Sequence, residues 1–121
     1  MSTADAIVSQ ISVRELGQIL SNLSPDLTLE LQLVDVREAM EVEIAHLPSF
    51  QVFSLSEFPT WSKNIATSLD PQKETLVLCH HGVRSAQMCQ WLVTQGFSQV
   101  KNIVGGIDAY SSSVDSSIPR Y

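Results

Sequence analysis

The chain has 121 residues, of which 44% are hydrophobic and 17% charged, and its formal net charge is −6. This balance predicts one folded domain with its own core and excludes a largely disordered chain. The negative charge argues against nucleic acid as the main partner, because phosphate binding needs clustered Lys and Arg. No apolar run approaches the roughly 20 residues that span a membrane, and Met1–Asp5 lacks the basic and apolar regions of a secretory signal.

Two further features of the composition concern location and surface. The chain has two cysteines, too few for a disulfide framework, so a reducing cytoplasm is the default expectation. Five acidic residues crowd the segment 30–43 around a single arginine. They predict a solvated rim, or alternatively a surface that steers a basic partner.

Strand and helix patterns alternate along the chain and predict a compact, mostly parallel α/β sheet. Ser12 and Glu15 match a capping box, so a helix should extend to about Leu20, after a brief edge strand at Ile11. Apolar periodicity and turn residues then predict a loop over 22–28, strands over 29–36 and 51–55, a helix over 56–68 capped by Ser56, a turn at 70–71, a strand over 75–78, a helix ending near Gly96, a strand over 100–104 and a helix over 107–112. The core should cover about residues 10–112, and a polar tail over 113–121 is expected to pack loosely.

The most informative segment is the junction at which the apolar run 76–78 stops at Cys79 and a loop leads into a helix. A thiol at the carboxyl end of a parallel strand faces the crevice above the sheet. The nearby helix amino terminus favours its anionic thiolate form. Cys79 is therefore predicted to be a nucleophile that carries a transferred group.

The six residues after this cysteine are predicted to bind the substrate, and they are His80, His81, Gly82, Val83, Arg84 and Ser85. Gly82 allows the loop to curl so that successive backbone N–H groups can point inward as an anion nest. Arg84 adds a permanent cation suited to a sulfur oxyanion or a phosphate. Ser85 can cap the following helix, and His80 and His81 can change charge near neutral pH.

The spacing between Cys79 and Arg84 separates two kinds of chemistry. Four residues lie between them, whereas a cysteine-dependent phosphatase is expected to have five and usually a His where this chain has Leu78. The shorter loop forms a smaller cradle, better matched to one sulfur on a thiolate than to a tetrahedral phosphate. Persulfide chemistry is favoured, and a phosphatase or arsenate reductase is the weaker alternative.

Three motifs in order resemble the single-domain rhodanese (thiosulfate sulfurtransferase) family over about residues 10–121. The family's loop Cys-x-x-Gly-x-Arg-Ser is met at 79–85, its apolar-Asp-Val-Arg-Glu and His-[Ile/Leu]-Pro signatures at 33–38 and 46–48, and its Gly-Phe, apolar strand and Gly-Gly-Ile at 96–97, 100–104 and 105–107. The family commonly has Gly-Ala where this chain has Ser49-Phe50, and Trp in place of Tyr110. His81 and the ending 114–121 are also similar to rhodanese domains appended to sulfur-carrier-activating enzymes.

This resemblance implies a rhodanese-like fold, with a five-stranded, mostly parallel sheet flanked by helices on both faces. It also implies that Cys79 accepts sulfane sulfur as a persulfide from a small sulfur-oxyanion donor such as thiosulfate. A thiol, cyanide or a protein acceptor would then remove that sulfur. No cofactor or metal is expected. The rival from another class is a non-catalytic or regulatory binding module that keeps this fold.

Other polar and sulfur groups are expected to support the site without reacting. Asp35 and Arg37 are expected to hydrogen-bond loops at the carboxyl edge of the sheet, since buried charges must be paired, with a catalytic role as the alternative. His46 should satisfy backbone groups near the following turn. Cys89 lies at helical spacing on an apolar face and is expected in the core. A Cys79–Cys89 disulfide is disfavoured by distance, and zinc by the divergence of the adjacent Cys-His-His side chains.

Overall fold

The computed structural model describes residues 8–121, apart from the side chains of 27–29. Its five strands form one parallel sheet in the order β1-β5-β4-β2-β3. The strands are β1 (Ser9–Ile11), β2 (Leu31–Asp35), β3 (Gln51–Val52), β4 (Glu74–Leu78) and β5 (Val100–Ile103). The helices are α1 (Val13–Ser21), α2 (Pro25–Glu30), α3 (Ala39–Ile44), α4 (Phe58–Trp61), α5 (Ile65–Ser68), α6 (Val83–Thr94) and α7 (Gly106–Ser113), with 3₁₀ turns at Leu55–Glu57 and Ser62–Asn64. The expected α/β architecture, with a five-stranded parallel sheet and helices, is confirmed.

Successive residues of a strand point to opposite faces of the sheet. Since both faces of this sheet carry apolar side chains, helices pack against both. Leu76 and Leu78 of β4 pack with α1 and α7 in one core cluster. Val77 and Cys79 face the other way, into a cluster built on α5 and α6. The alternation therefore places the thiol on the α6 side of the central strand, at the sheet's carboxyl edge.

The predicted first strand and the predicted first and last helices are confirmed. Ser12 Oγ accepts a hydrogen bond from Glu15 N at 3.1 Å and caps α1, as the capping pattern predicts. β1, which includes Ile11, forms an edge strand that pairs with β5. The predicted last helix over 107–112 corresponds to α7.

Several predicted boundaries are wrong. Most of the predicted loop at 22–28 is α2, because Pro25 occupies the first helical position, where its fixed φ is favourable and its missing N–H costs nothing. Since α2 continues to Glu30, β2 begins only at Leu31. β3 ends at Val52 instead of residue 55, although the Phe53 and Leu55 N–H groups still donate to the carbonyls of Asp35 and Val36 at 2.8 Å and 3.3 Å.

The long helix predicted over 56–68 is broken into short α and 3₁₀ segments. Glu57 and Asn64 interrupt it with φ values of −105° and −120°. The pieces are held instead by side chains: Trp61 Nε1 donates to the Ser54 carbonyl at 2.8 Å, and its ring packs edge-on against Phe53 and Phe58.

The expectation that residues 113–121 pack loosely is also wrong. Ser111 Oγ donates to the Ile118 carbonyl, and the Ile118 side chain packs against the α1–α7 core. Arg120 pairs with Asp108 of α7 at 3.0 Å. Tyr121 thereby reaches the carboxyl edge of the sheet. Within residues 8–121, no helix has the length and apolar character needed to cross a membrane.

Candidate active site

Cys79 follows β4 directly, and it is 1% exposed. The Gly82 N–H donates to Cys79 Sγ at 3.0 Å, and Ser85 Oγ lies 3.3 Å from the same sulfur. The chain between them curls because Gly82 has φ +100°, a conformation that side chains disfavour. As in any helix, the first N–H groups of α6 have no intrahelical acceptor, so this end of the helix favours a sulfur anion. The sulfur thus accepts one backbone N–H and contacts one hydroxyl group.

The loop is also tied from behind by the amino end of α7. The Ile107 N–H donates to the Cys79 carbonyl at 3.0 Å, and the Asp108 N–H donates to the His80 carbonyl at 3.1 Å. Gly106 permits this approach: a Cβ there would lie 2.5 Å from the Cys79 carbonyl oxygen. The downstream Gly-Gly-Ile motif therefore fixes the backbone that carries the nucleophile.

Ser85 is not the helix cap that the sequence predicts. The helix begins earlier, at Val83, so Ser85 lies inside its first turn and is fully buried. Its hydroxyl donates to Asn102 Oδ1 at 2.5 Å, while Asn102 Nδ2 donates to the Gly82 carbonyl at 3.1 Å. This chain of bonds orients the hydroxyl that contacts the Cys79 sulfur.

Asn102 was not identified from the sequence. The available signal was a lone amide in the last strand, shortly before the two glycines at the sheet's carboxyl edge. A buried amide must be hydrogen-bonded, so its presence in a strand indicates a polar partner nearby. Here that partner is the loop of the active site.

Arg84 is engaged by an acidic side chain that was expected to form part of a solvated rim. Its Nη1 and Nη2 atoms each donate to one carboxylate oxygen of Glu41 in α3 at 2.8 Å. These bonds hold the pKa of Glu41 at about 2 and raise that of Arg84. The Glu41 carboxylate also accepts from the Glu38 N–H at 2.9 Å, as part of the cap of α3. The cation predicted for anion binding is therefore already paired.

Asp35 and Arg37 form a buried pair behind the loop. Arg37 Nη2 donates to Asp35 Oδ2 at 2.7 Å, and Arg37 is 0% exposed. Its Nη1 donates to the Tyr121 hydroxyl oxygen at 2.9 Å, and that hydroxyl donates to Glu41 Oε1 at 3.0 Å. Burial lowers the pKa of Arg37, but the bonds to Asp35 and Tyr121 outweigh it, so the net shift is upward.

His80 and His81 belong to the loop, but within residues 8–121 neither side chain makes a hydrogen bond to the Cys79 sulfur. The His80 ring stacks on Tyr121, with centroids 3.9 Å apart and planes at 7°. Burial and the neighbouring His81 lower the pKa of His80, which favours a neutral ring. His81 Nδ1 lies 3.8 Å from Asp108 Oδ2 at the surface. The two rings line the rim of the site.

Cys89 and His46, the two other residues expected to support the site, differ in burial. Cys89 is fully buried in α6, and burial raises the pKa of its thiol to about 12, so it is a packing residue and not a second nucleophile. His46 is exposed, and within residues 8–121 its side chain makes no hydrogen bond. The expectation that it satisfies backbone groups near Pro48 is wrong, since that backbone lies at the surface, where water can serve.

Comparison with known proteins agrees with this geometry. Residues 13–113 match the rhodanese-like domain family. The chain belongs to that family. The crystal structure of a rhodanese-like domain protein from Staphylococcus aureus has the same fold, with a TM-score of 0.71 over 94% of this chain and 99% of that one at 24% identity.

Two curated relatives show how widely the rhodanese-like domain is used. The chain is 51% identical, over 94% of its length, to a rhodanese-like/PpiC domain-containing protein 12, chloroplastic, of Arabidopsis thaliana, but spans only 38% of that protein. It is 29% identical, over 69% of its length, to the thiosulfate sulfurtransferase GlpE of Coxiella burnetii, of which it covers 74%. The relatives of this chain therefore include a thiosulfate sulfurtransferase and a longer protein whose name also gives a PpiC domain.

Proposed function

We propose that this chain is a sulfurtransferase that moves sulfane sulfur from a donor such as thiosulfate to a thiol, cyanide or a protein acceptor through a persulfide on Cys79. The observation that carries the proposal is the contact set of the Cys79 sulfur. A buried sulfur that accepts the Gly82 N–H and touches the Ser85 hydroxyl can be held as an anion, which a purely structural cysteine does not need.

In the first step the Cys79 thiolate attacks the sulfane sulfur of the donor. A sulfur–sulfur bond forms at Cys79, the donor's own sulfur–sulfur bond breaks, and its electron pair leaves with the remainder of the donor, which is sulfite when the donor is thiosulfate. The outer sulfur of the persulfide is then the anion. Backbone N–H groups of the loop and of the first turn of α6 are placed to stabilise it.

In the second step the acceptor removes that sulfur. A thiolate or cyanide ion attacks the outer sulfur, and the Cys79 thiolate leaves with the bonding pair. The Gly82 N–H, which donates to the inner sulfur, stabilises the departing thiolate. Neither step needs an external oxidant or reductant, because the electron pair of each broken sulfur–sulfur bond stays with the leaving group.

The experiment is intact-protein mass spectrometry after incubation with thiosulfate or polysulfide. We expect a mass increase of one sulfur atom that is lost in Cys79→Ala and reversed by cyanide with release of thiocyanate. Cys89→Ala is the matched control, because its thiol is buried, has a raised pKa and lies in the same cluster. Absence of the adduct with every donor would favour the binding module instead, and hydrolysis of an aryl phosphate would favour a phosphatase.

A further inference from the structure

The charge of Arg84 is balanced in the folded protein. Both of its terminal nitrogens are bonded to Glu41, and the carboxylate of Glu41 is also held by the Glu38 N–H and the Tyr121 hydroxyl. The Glu41 side chain is 17% exposed and that of Arg84 33%, so the pair is partly shielded from solvent. A bidentate pair with a fixed carboxylate leaves little net positive charge to attract an anion.

The balanced charge of the Arg84–Glu41 pair matters more for a sulfur donor with two negative charges than for a donor with one or none. Thiosulfate carries two negative charges to an already anionic thiolate and releases sulfite with both charges. An alkyl persulfide carries at most one charge on its sulfurs and releases a thiolate with one. Near the fixed carboxylate of Glu41, the first reaction brings more like charge together than the second. The positive charge of Arg84, which would otherwise offset this repulsion, is balanced by Glu41.

We infer that Glu41 is a specificity-determining residue that disfavours the thiosulfate dianion and selects persulfide donors. This inference rests on the function proposed above. With a persulfide, the Cys79 thiolate attacks the outer sulfur of R–S–SH. The new bond joins that sulfur to Cys79, the donor's sulfur–sulfur bond breaks, and R–S⁻ leaves with the electron pair. The proton stays on the transferred sulfur, so one negative charge is present before and after.

The test compares two donors in wild type and Glu41→Gln, with thiosulfate and 2-hydroxyethyl persulfide as the probes and kcat/KM of Cys79 loading as the readout. Gln keeps the size of the side chain and an oxygen that can accept the Glu38 N–H. The ratio of kcat/KM for thiosulfate to that for 2-hydroxyethyl persulfide, whose alkyl group is uncharged, should rise about tenfold, as expected from removing one nearby charge that acts on a dianion. Circular dichroism checks that the variant folds.

Two further variants separate local pairing from general charge. Glu43→Gln removes the same charge from the same helix at an exposed position, and should leave the ratio within about twofold because solvent and salt screen it. Glu41→Gln combined with Arg84→Gln removes both charges of the pair, and its ratio should stay within about threefold of wild type because the net charge is unchanged.

The outcomes distinguish this inference from the proposed function. An unchanged or lower ratio in Glu41→Gln would overturn the inference, as would an equal rise in Glu43→Gln. A tenfold loss of thiosulfate efficiency in the double variant would show that Arg84 holds the donor's anion despite Glu41, and would also overturn it. If Cys79 loads from neither donor in wild type, the proposed function itself fails.

Discussion

Replacing Gly106 by Ala tests whether the start of α7 holds the nucleophile loop in place. The new Cβ would lie 2.5 Å from the Cys79 carbonyl oxygen, so one of the two backbones must move. The left-handed φ of +63° adds about 1–2 kcal/mol of strain for a residue with a side chain. Movement also weakens the hydrogen bonds to the Cys79 and His80 carbonyls, worth about 0.5–1.5 kcal/mol each. We expect a total loss of about 3 kcal/mol in the free energy of unfolding.

Gly96→Ala is the matched control for this substitution. Gly96 also has a positive φ, of +93°, but a Cβ there would meet nothing within 4 Å. Ala at Gly96 should therefore cost only about 1 kcal/mol, because backbone strain is partly offset by the lower entropy of the unfolded chain. Urea denaturation followed by tryptophan fluorescence measures both losses. Persulfide loading should slow in Gly106→Ala and not in Gly96→Ala. Equal destabilisation by the two substitutions would refute the role assigned to the close approach.

Three further predictions concern other residues of the site and its scaffold. Ser85→Ala should slow persulfide formation, measured by mass spectrometry after rapid quenching, because it removes the oxygen that contacts the Cys79 sulfur and the link through Asn102 to the Gly82 carbonyl. It should also cost about 1–3 kcal/mol of stability because Asn102 Oδ1 loses a buried donor. Unchanged kinetics would exclude the hydroxyl from positioning the sulfur. Arg84 lowers the pKa of Glu41 from 4.5 to about 2, so the pair stabilises the fold fully above pH 4.5 and less as the pH falls towards 2. The loss of stability in Glu41→Gln, measured by urea denaturation, should therefore shrink as the pH falls over that range. A loss that does not depend on pH would contradict this prediction. Ser49 has φ +72°, so Ser49→Gly should raise the melting temperature, corresponding to about 0.5–1 kcal/mol, whereas a decrease would show that its side chain makes a compensating contact.

The sequence predicts the site where local pattern and chemistry coincide. An apolar strand that ends in Cys79, followed by Gly82, identifies the nucleophile and the turn of its loop, because both depend on residues adjacent in the chain. Asp35 and Arg37 are predicted as supporting residues at the carboxyl edge of the sheet for the same reason, but that they bond to each other is seen only in the structure.

Contacts between distant segments were not predictable in this way. Glu41 reads as one charge of an acidic stretch, and only the packing of α3 beside the loop turns it towards Arg84. Ser85 fits a cap by residue type, but the left-handed Gly82 starts the helix three residues earlier and buries the hydroxyl. Local propensity cannot show whether Gly82 or Ser85 caps the helix, because the loop before it is held by Asn102, which is distant in the sequence.

The contact of Tyr121 with the site affects how a functional fragment of this chain should be cut. The family match ends at residue 113, and a fragment ending there would keep all five strands and the nucleophile loop. It would nevertheless remove the aromatic ring stacked on His80 and the hydroxyl that links Arg37 to Glu41. Domain boundaries drawn from the family match alone would thus cut away contacts that His80, Arg37 and Glu41 make beside the nucleophile loop.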